Sequence, residues 1–579
     1  MESERGNDNV RFEPDERPPH LVAAGVGFQA AVVVLAPVVL GAVIIGRAGG
    51  QGADYITWIA FAALVVSGVT TVLQAVRVGR IGAGHVLIMG TSGAFIAVCI
   101  TALAKGGPPL MASLIVVSAL FQFALAARLS LLRRVITPVV SGTVIMLIAV
   151  TVMPIIFGLL TDVPEGTSSA AAPSAAVATF VALVVLALRA PAAWRLWAPL
   201  IGIAVGCAAA APFGLYDIQS VIDAPWIGLP DSSWPGLDLS LGPEFWALLP
   251  AFVVVTIVGA IETIGDGVAI QRVSRRRPRA TDFRLVQGAL NADGVGNLLS
   301  GLVGTPPNTT YSSSISLAEL TGVAARRVGV YIGVIFVALA LSPKVTALVI
   351  AIPNPVAAVY VTLLIGMLFV QGMKIVVGDG LDHRKAAVVG LSFWIGVGFQ
   401  NQVIFADLLG GTWGTLLGNG MTAGGMAAIA LTAFMELTAP RRRRLEVAQA
   451  AEALPEIDAF LQKCAARVGW GEPAAGRLRS AGEETLAVLL QQAGEDEADD
   501  RGRRLILTAR LTEGAMELEF SSASSTENLE DQLAYMSAQP ELVDEREISF
   551  RLLRHYATSV RHQKYHDVDI VTVQVEESP

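Results

Sequence analysis

The chain has 579 residues, of which 53% are hydrophobic and 16% are charged, and its formal net charge is −8. The apolar residues come in long blocks rather than in the alternation of a half-buried sheet, which is typical of a polytopic helical membrane protein. Acidic residues concentrate in the last third, whereas arginines cluster at the ends of apolar blocks. The net charge therefore does not indicate a nucleic-acid partner.

The apolar blocks predict about fourteen membrane spans, since a spanning helix needs about 20 apolar residues. They cover residues 21–46, 55–76, 85–104, 109–127, 134–160, 171–188, 194–213, 245–272, 286–303, 307–320, 325–342, 345–371, 385–406 and 413–437. We expect a transmembrane domain over residues 21–440. Residues 1–20 are charged and Pro-rich and contain no cleavable apolar region, so we expect a disordered cytoplasmic tail there.

The basic residues predict the orientation, because cytoplasmic loops carry the excess of Lys and Arg. With fourteen spans, all the basic clusters fall on one side, and the single residues Arg47, Lys105 and Lys344 fall on the other. The clusters lie at 77–80, 128–134, 189–195, 275–279, 326–327, 374, 384–385 and 441–444. Both termini are therefore predicted to be cytoplasmic, in the inner membrane of a bacterium.

Two blocks contain Gly, Pro, Ser and Thr at mid-membrane depth. They are Met89-Gly-Thr-Ser-Gly-Ala-Phe95 and Gly304-Thr-Pro-Pro-Asn-Thr-Thr-Tyr-Ser-Ser-Ser-Ile-Ser316. Irregular backbone at this depth is tolerated where it lines a protein-enclosed cavity. The blocks are third and tenth of fourteen, so they are equivalent in a 7+7 inverted repeat, and such a pair indicates a midplane binding site. The alternative is that small residues simply allow close helix packing.

Glu262 is an acidic residue inside the long apolar run from Leu249 to Ile270. A carboxylate in the membrane costs at least a few kcal/mol (about 2.5–3.5 at a helix centre), so such residues are usually functional. Asp266 lies one helical turn further along the same face. We expect Glu262 to handle substrate or protons.

The residues after the run Arg441–Arg444 predict a second domain, over 441–579, with a small α+β fold. Helices are expected over 445–466, 478–492 and 548–561, and strands over 505–511, 516–520 and 568–575. The acidic stretch 494–500 is expected to be a loop. A regulatory or dimerising role is the default expectation.

Metal or disulfide chemistry is not indicated by the cysteines and histidines. Cys99, Cys207 and Cys464 lie far apart with no CxxC spacing and predict buried thiols. His555 and His562 would share a helical face, but with His566, Asp567 and Asp569 they are expected to be solvated surface residues. We expect no metal and no cofactor.

The second domain weakly resembles the ATPase fold of histidine kinases and anti-sigma factors, through Leu478-Arg-Ser-Ala-Gly-Glu-Glu-Thr-Leu486 before a hairpin. Four positions after Glu484, where that family places a metal-binding Asn, this chain has Val488, and no Gly-rich nucleotide lid is visible. The resemblance therefore implies a degenerate, non-catalytic version.

Three motifs, taken in order, resemble the nucleobase-ascorbate transporter family: Ile261-Glu-Thr-Ile-Gly-Asp266, Asn291-Ala-Asp-Gly294 and Thr305-Pro-Pro-Asn-Thr-Thr-Tyr311. The resemblance covers residues 20–437. It implies an all-α domain of fourteen segments in two inverted repeats, divided into a core and a gate domain and usually dimeric. Family members move uracil, xanthine, urate or related bases, in microbes with a proton. Asp293 matches an acidic position of the fungal purine members.

The chemistry of a nucleobase agrees with these residues. A flat base has adjacent N–H donors and C=O acceptors, so a buried carboxylate such as Glu262 can accept two N–H bonds while backbone N–H groups at broken helix ends bind the carbonyls. A carboxyl that takes a proton outside and releases it inside would couple transport to the proton gradient. Glu262, Asp266 and Asp293 are the proton-coupling candidates.

The chain departs from the family at other site positions. Ser313 and Ser314 stand where the family has Glu or Gln and then Asn, and Gln29-Ala30 replaces its Gln-His pair. Gly93 stands where a Phe is expected, with Phe95 two residues later. We expect Gly93, Ala94, Phe95, Ser313 and Ser314 to line the substrate site with Glu262, in a pocket enlarged or changed in polarity.

Two other functions are compatible with the sequence. The sulfate permease group is similar in fold, uses serines in block ten and carries a cytoplasmic C-terminal domain. Glu262 opposes that reading, because an unpaired carboxylate repels an anion. The membrane part could instead be a ligand sensor that signals through the second domain, for which an intact nucleotide motif would be expected.

Overall fold

The structure, a computed structural model, forms two compact units. The membrane unit contains residues up to 276 and residues 285–435, and the second unit contains residues 277–284 and those beyond 435. The described residues are 9–129, 137–195, 197–230, 234–277, 279–378, 380–405, 417–418, 420–438, 442–493, 504–512, 515–522, 545–566 and 568–577. The acidic stretch 494–500 and Asp567 lie outside them.

The membrane unit is built mainly of helices. In chain order they are α1 (His20–Ala48), α2 (Ala53–Val76), α3 (Ile96–Ala127), α4 (Pro138–Gly158), α5 (Ala171–Arg189), α6 (Ala192–Arg195), α7 (Ala198–Ala210), α8 (Ile218–Asp223), α9 (Pro243–Val273), α10 (Phe283–Val303), α11 (Ser313–Thr321), α12 (Arg326–Ala340), α13 (Pro343–Ile350), α14 (Asn354–Gly378), α15 (His383–Gln400) and α16 (Gly420–Thr438). Within the described residues, eight helices are long and apolar enough to cross a bilayer, or nine if α12 and α13, bent by 84°, are one span. A multi-pass helical membrane protein is thereby confirmed.

Helix α3 contains two of the predicted apolar blocks. Gly107 has a φ of 71°, a left-handed conformation that interrupts the helix, and Pro108 and Pro109 follow it. Glycine adopts this conformation without the steric cost of a Cβ, and proline cannot continue a helical hydrogen-bond ladder. Residues 106–109 thus form a break between two helical segments, although both segments carry the single label α3.

The two Gly/Ser/Pro-rich blocks form strands that the all-α prediction missed. Strand β1 (Met89–Thr91) pairs antiparallel with β2 (Asn308–Thr310), with Gly90 opposite Thr309. A 3-10 turn, Gly93–Phe95, follows β1 and leads into α3, and α11 begins three residues after β2. Extended backbone inside a membrane needs partners for its N–H and C=O groups. Each strand supplies part of them to the other, and side chains of neighbouring helices supply others, such as Thr71 Oγ1 for the Met89 N–H.

Helices of the membrane unit pack closely through glycine. Helix α1 packs on α2 and α12, α2 on α12, and α4 on α14 and α15. At the crossing of α4 and α14, a Cβ on Gly142 would lie 2.5 Å from the Gly372 carbonyl oxygen, and a Cβ on Gly372 would lie 2.7 Å from the Gly142 oxygen. Gly68 and Gly333 make the same reciprocal approach between α2 and α12. Such backbone contact is typical of helix interfaces in membranes.

Residues 9–18, within the segment expected to be disordered, are held in place. Phe12 bridges Val323, and its N–H donates to the Gly322 carbonyl at 3.1 Å. Glu16 makes two hydrogen bonds of 2.7 Å with the Arg276 guanidinium. Paired backbone and ionic contacts therefore order a short polar segment that composition alone describes as a flexible tail.

The second unit has a five-stranded antiparallel sheet covered by helices. Its strands, in the spatial order β3-β4-β5-β7-β6, are β3 (Arg443–Ala448), β4 (Arg504–Thr512), β5 (Ala515–Ser522), β6 (Ser559–Lys564) and β7 (Asp569–Glu576). Its helices are α17 (Leu454–Val468), α18 (Glu472–Ala493) and α19 (Glu545–Tyr556). Leu507, Phe520 and Val571 lie in register on three adjacent strands and are fully buried in the core of this unit. The predicted α+β fold, the helix at 478–492 and the three strands agree with this arrangement.

Two helix predictions in the second unit are wrong in part. Residues 445–448, the start of the helix predicted over 445–466, belong to β3, because residues 443–448 pair with residues 504–509 of β4. The last helix ends at Tyr556, and residues 559–564 form β6 against β7. His562 is therefore in a strand rather than on a helical face with His555, and it is buried with its Nε2 3.5 Å from Asp569 Oδ2. Among the described residues, no cluster of His, Cys, Asp or Glu could hold a metal ion.

Candidate functional site

Three acidic residues lie together beside the paired strands of the membrane unit. Helix α9 carries Glu262 and Asp266 one turn apart, and α10 carries Asp293. Glu262 is close enough to both aspartates to interact with them electrostatically. The structure thus brings together the three carboxyls that the sequence suggested separately.

Asp266 is fully engaged by hydroxyl groups around the break before α11. Its Oδ2 accepts a hydrogen bond from Thr310 Oγ1 at 2.8 Å, and its Oδ1 accepts one from Ser312 Oγ at 2.7 Å. Hydrogen bonds to a charged group are stronger than those between neutral groups. The carboxylate therefore holds β2 and the start of α11 against α9.

Asp293 belongs to a buried network of polar side chains. Its Oδ2 accepts hydrogen bonds from Gln122 Nε2 at 2.6 Å and from Thr263 Oγ1 at 3.0 Å. Gln122 Oε1 accepts from Asn297 Nδ2 at 2.7 Å, and Asn297 Oδ1 accepts from the backbone N–H of Asn308 at 2.7 Å. Helices α3, α9 and α10 are thereby connected to β2 through hydrogen bonds.

Glu262 differs from the two aspartates. Within the described residues no hydrogen bond or ion pair reaches its carboxylate, and the side chain is partly exposed. Tyr311, which follows β2, is near enough to interact with it electrostatically, and its hydroxyl donates to the Thr91 carbonyl at 2.8 Å. Glu262 is thus an acceptor whose capacity is unused, next to the strand pair.

The 3-10 turn after β1 faces this region. No atom lies within 4 Å of a Cβ built on Gly93, whereas Ala94 and Phe95 are buried. The Phe95 ring lies 6.1 Å from that of Phe252 and 3.7 Å from a Cβ built on Gly259, one turn before Glu262. The turn therefore combines open space at Gly93 with an aromatic wall against α9.

The two serines at the start of α11 have different environments. Ser314 Oγ accepts from the Ile88 N–H at 2.8 Å and donates to the Tyr311 carbonyl at 2.7 Å. The Oγ of Ser313 is buried and has no hydrogen-bond partner among the described residues. The same holds for Ser92 Oγ and Thr309 Oγ1. Ser314 thus joins the backbone at the two breaks, whereas unused hydroxyls lie at Ser313, Ser92 and Thr309.

Several residues of this site were missed in the sequence. They are Gln122, Thr263, Asn297, Thr310 and Ser312. Asn297 lies four residues after Asp293, on the same helical face, and Gln122 is a lone amide in an apolar block, so both had a detectable signal. Thr263, Thr310 and Ser312 had none, since hydroxyl groups are common in membrane helices.

A multi-pass helical protein in which two interrupted segments meet beside buried carboxyls is a membrane transporter. The family model Xan_ur_permease, described as a permease family, matches residues 23–404. This chain belongs to that family, the xanthine/uracil permeases among the nucleobase-ascorbate transporters.

Two relatives that match over most of their length, a xanthine permease and a uric acid permease, agree with this assignment. The xanthine permease XanQ of Escherichia coli strain K12 is 30% identical over 447 residues, which cover 74% of this chain and 93% of XanQ. The uric acid permease PucK of Bacillus subtilis strain 168 is 27% identical over 431 residues, covering 72% and 96%. Among solved structures, the transmembrane domain of the cyanobacterial bicarbonate transporter BicA overlays with a TM-score of 0.46 at 15% identity, covering 72% of this chain and 98% of that domain.

Proposed function

We propose that this permease takes up a nucleobase together with a proton. The substrate would be a purine such as xanthine or urate, uracil, or a related planar heterocycle. The observation that carries the proposal is the unused carboxylate of Glu262 near two carboxylates whose partners are hydroxyl and amide groups. A carboxylate with unused acceptor capacity in a transporter is suited to a ligand that brings hydrogen-bond donors or a proton.

The chemistry of a nucleobase matches that requirement. Two adjacent N–H groups of a base can donate to the two oxygens of Glu262. The hydroxyls of Ser92, Thr309 and Ser313 can donate to ring carbonyls. Gly93 leaves space for a flat ring, and Phe95 supplies an apolar surface nearby. The serine at 313, shorter than the side chains the family usually has there, would leave room for a larger ring or an added substituent.

The acidic cluster also supports proton coupling. Like charges held close together in a membrane repel strongly, so Glu262, Asp266 and Asp293 are stabilised when one proton is bound among them. Asp266 and Asp293 each receive two hydrogen bonds from neutral donors, which favour their charged forms. Glu262 receives none from the described residues and is the better carrier.

We further propose fourteen spans in two inverted halves of seven, with a core that moves against a gate in an elevator-like displacement. The pairing of β1 with β2 supports the equivalence of the two interrupted segments. The packing of α1, α2 and α12 with one another, and of α14 and α15 on α4, supports a division into two helix groups. A homodimer in a bacterial inner membrane, with residues 21–440 as transporter and 441–579 as a cytoplasmic regulatory or dimerising domain, completes the proposal.

The test is thermal stabilisation of the full-length detergent-purified protein by a panel of xanthine, urate, uracil, ascorbate and sulfate. A ligand that binds the native state raises the melting temperature. We expect one heterocycle to stabilise the native protein and the matched control Glu244→Gln, which alters an ion pair with Lys105 far along α9, but not Glu262→Gln.

The opposite pattern would overturn the proposal. Stabilisation by sulfate that survives Glu262→Gln would identify an anion transporter. Absence of stabilisation and of uptake into proteoliposomes for all of these bases would exclude a nucleobase substrate.

A further inference from the structure

Gln122 is a buried amide whose hydrogen-bonding atoms are all directed at the acidic site. It lies in the second segment of α3 and is 1% exposed. Its Nε2 donates to Asp293 Oδ2 and its Oε1 accepts from Asn297. A buried amide costs free energy unless both ends are satisfied, and here both ends are used on α10.

The hydrogen bonds run in series from Asn308 through Asn297 and Gln122 to Asp293. The groups at the two ends of this series determine the direction of every bond in it. At one end the Asn308 N–H can only donate, so the Asn297 atom that it meets is the oxygen. The other atom of that amide group is then a donor, and it requires the oxygen of Gln122. The nitrogen of Gln122 is left to face Asp293, whose Oδ2 must accept.

We propose that Gln122 is a positioning residue that couples the charge of Asp293 to the backbone of β2. A charged carboxylate strengthens the bond from Gln122, and protonation weakens it. Because the amide groups are oriented in series, the change reaches the Asn308 N–H through Asn297. As Asp266 holds the other end of β2 through Thr310, the relay gives both aspartates a connection to the strand. This inference rests on the proposed proton-coupled function.

The surroundings of Asp293 define what can titrate with it. Helix α9 presents Glu262, Asp266 and the hydroxyl of Thr263, and α3 presents Gln122. At the far end of the series, the Asn308 side chain donates to Ser67 and Thr70 of α2 at 3.3 and 3.4 Å, so α2 contributes hydroxyl groups there. Asp293 Oδ1 is buried and has no partner among the described residues, so a proton placed there leaves the bond to Gln122 intact but weaker.

The decisive variant is Gln122→Glu. It keeps the acceptor for Asn297 but places an oxygen opposite Asp293 Oδ2, so the contact is favourable only when a proton lies between the two carboxyls. Gln122→Met is the matched control, since it has nearly the same size and removes both bonds without adding a titratable group. In the double variant Gln122→Glu, Asp293→Asn, the amide donor lies at position 293 and the carboxylate at position 122. A hydrogen bond between the two side chains is therefore possible again.

The first readout is the melting temperature of the unliganded full-length protein between pH 5.5 and 8. We expect the difference between Gln122→Glu and the native protein to grow as pH rises. The difference for Gln122→Met should grow much less, since only the strengthening of one hydrogen bond by the charge of Asp293 is lost, and the double variant should recover most of the loss. Equal pH dependence of Gln122→Glu and Gln122→Met would overturn the coupling and leave Gln122 as a packing residue.

The second readout is initial-rate uptake in proteoliposomes with the stabilising base. At pH 5.5 the uptake rate of Gln122→Glu should be near that of the native protein. At pH 8 it should be at least about tenfold lower than that of the native protein, and KM should change by a smaller factor than the rate. A rate profile parallel to that of the native protein would overturn the role in transport. If the native protein takes up none of the bases, the proposed function fails, whereas the melting series still decides whether Gln122 and Asp293 are coupled.

Discussion

Ser312 Oγ donates to Asp266 Oδ1 at 2.7 Å, across the point where the chain leaves β2 and enters α11. The contact joins a residue on α9 to the interrupted segment 46 positions later. It gives a buried acidic residue a structural role beside the carboxylate of Glu262.

We expect Ser312→Ala to weaken substrate binding about tenfold. A hydrogen bond to a charged group contributes about 1.5–3 kcal/mol, and its loss leaves the start of α11 less firmly held. The measurement is the concentration dependence of ligand-induced stabilisation. Ser316→Ala is the control, because no side-chain hydrogen bond is formed by Ser316 among the described residues. Equal affinity of the two variants would contradict the role of Asp266 in holding the start of α11 for substrate binding.

Glu262→Asp tests the proposal that the Glu262 carboxylate reaches two N–H groups of the substrate. The change keeps the charge but withdraws the carboxyl group by one methylene, so two simultaneous N–H bonds are lost or lengthened. We expect binding about tenfold to a hundredfold weaker, since each such bond is worth about 1.5–3 kcal/mol. Isothermal titration with the stabilising base measures the change. Unaltered affinity would show that Glu262 does not contact the substrate.

Helix packing through glycine is tested by two substitutions on α14. Gly372→Ala would place a Cβ 2.7 Å from the Gly142 carbonyl oxygen, and overpacking of this kind typically costs about 1–3 kcal/mol. Gly366→Ala meets no atom within 4 Å and should be neutral or slightly stabilising. Melting temperatures in one detergent compare the two. Similar values would mean that the α4–α14 contact does not limit stability.

The segment 9–18 should detach at acid pH. The hydrogen bond from Arg276 lowers the pKa of Glu16 below its ordinary value of 4.5. A lowered folded-state pKa means that the stabilisation is present above pH 4.5 and is lost as pH falls through the lowered value. Hydrogen exchange of residues 9–18 should therefore be slow at pH 7 and fast, after correction for intrinsic rates, near pH 3.

Arg276→Ala should release the same segment already at pH 7, whereas the exposed Arg272→Ala, on the last turn of α9, should not. High salt should have a similar effect to Arg276→Ala, since exposed ion pairs are screened. Protection that is insensitive to pH and to both variants would assign the docking to Phe12 and the backbone hydrogen bonds alone.

The amino-acid sequence by itself determined the class of protein and predicted where its site would lie. Long apolar blocks, an acidic Glu262 inside one of them and the interrupted blocks near residues 90 and 310 are signals of composition and order, and the membrane environment makes them strong. The sequence does not identify site residues whose side chains are common in membrane helices. Thr310 and Ser312 look like any hydroxyl residues in a membrane helix, and their bonds to Asp266 depend on the approach of distant helices.

Only the tertiary structure decided which carboxylates are occupied and which is free. The sequence offers Glu262, Asp266 and Asp293 together as proton-coupling candidates, because the apolar surroundings of a carboxyl can be read from its neighbours along the chain but its hydrogen-bond donors cannot. Those donors come from α3, α9 and the segment around β2, at separations of 30 to 171 positions from their acceptors. The pairing of β1 with β2 likewise required two segments more than 200 residues apart to meet, which local sequence preference does not specify.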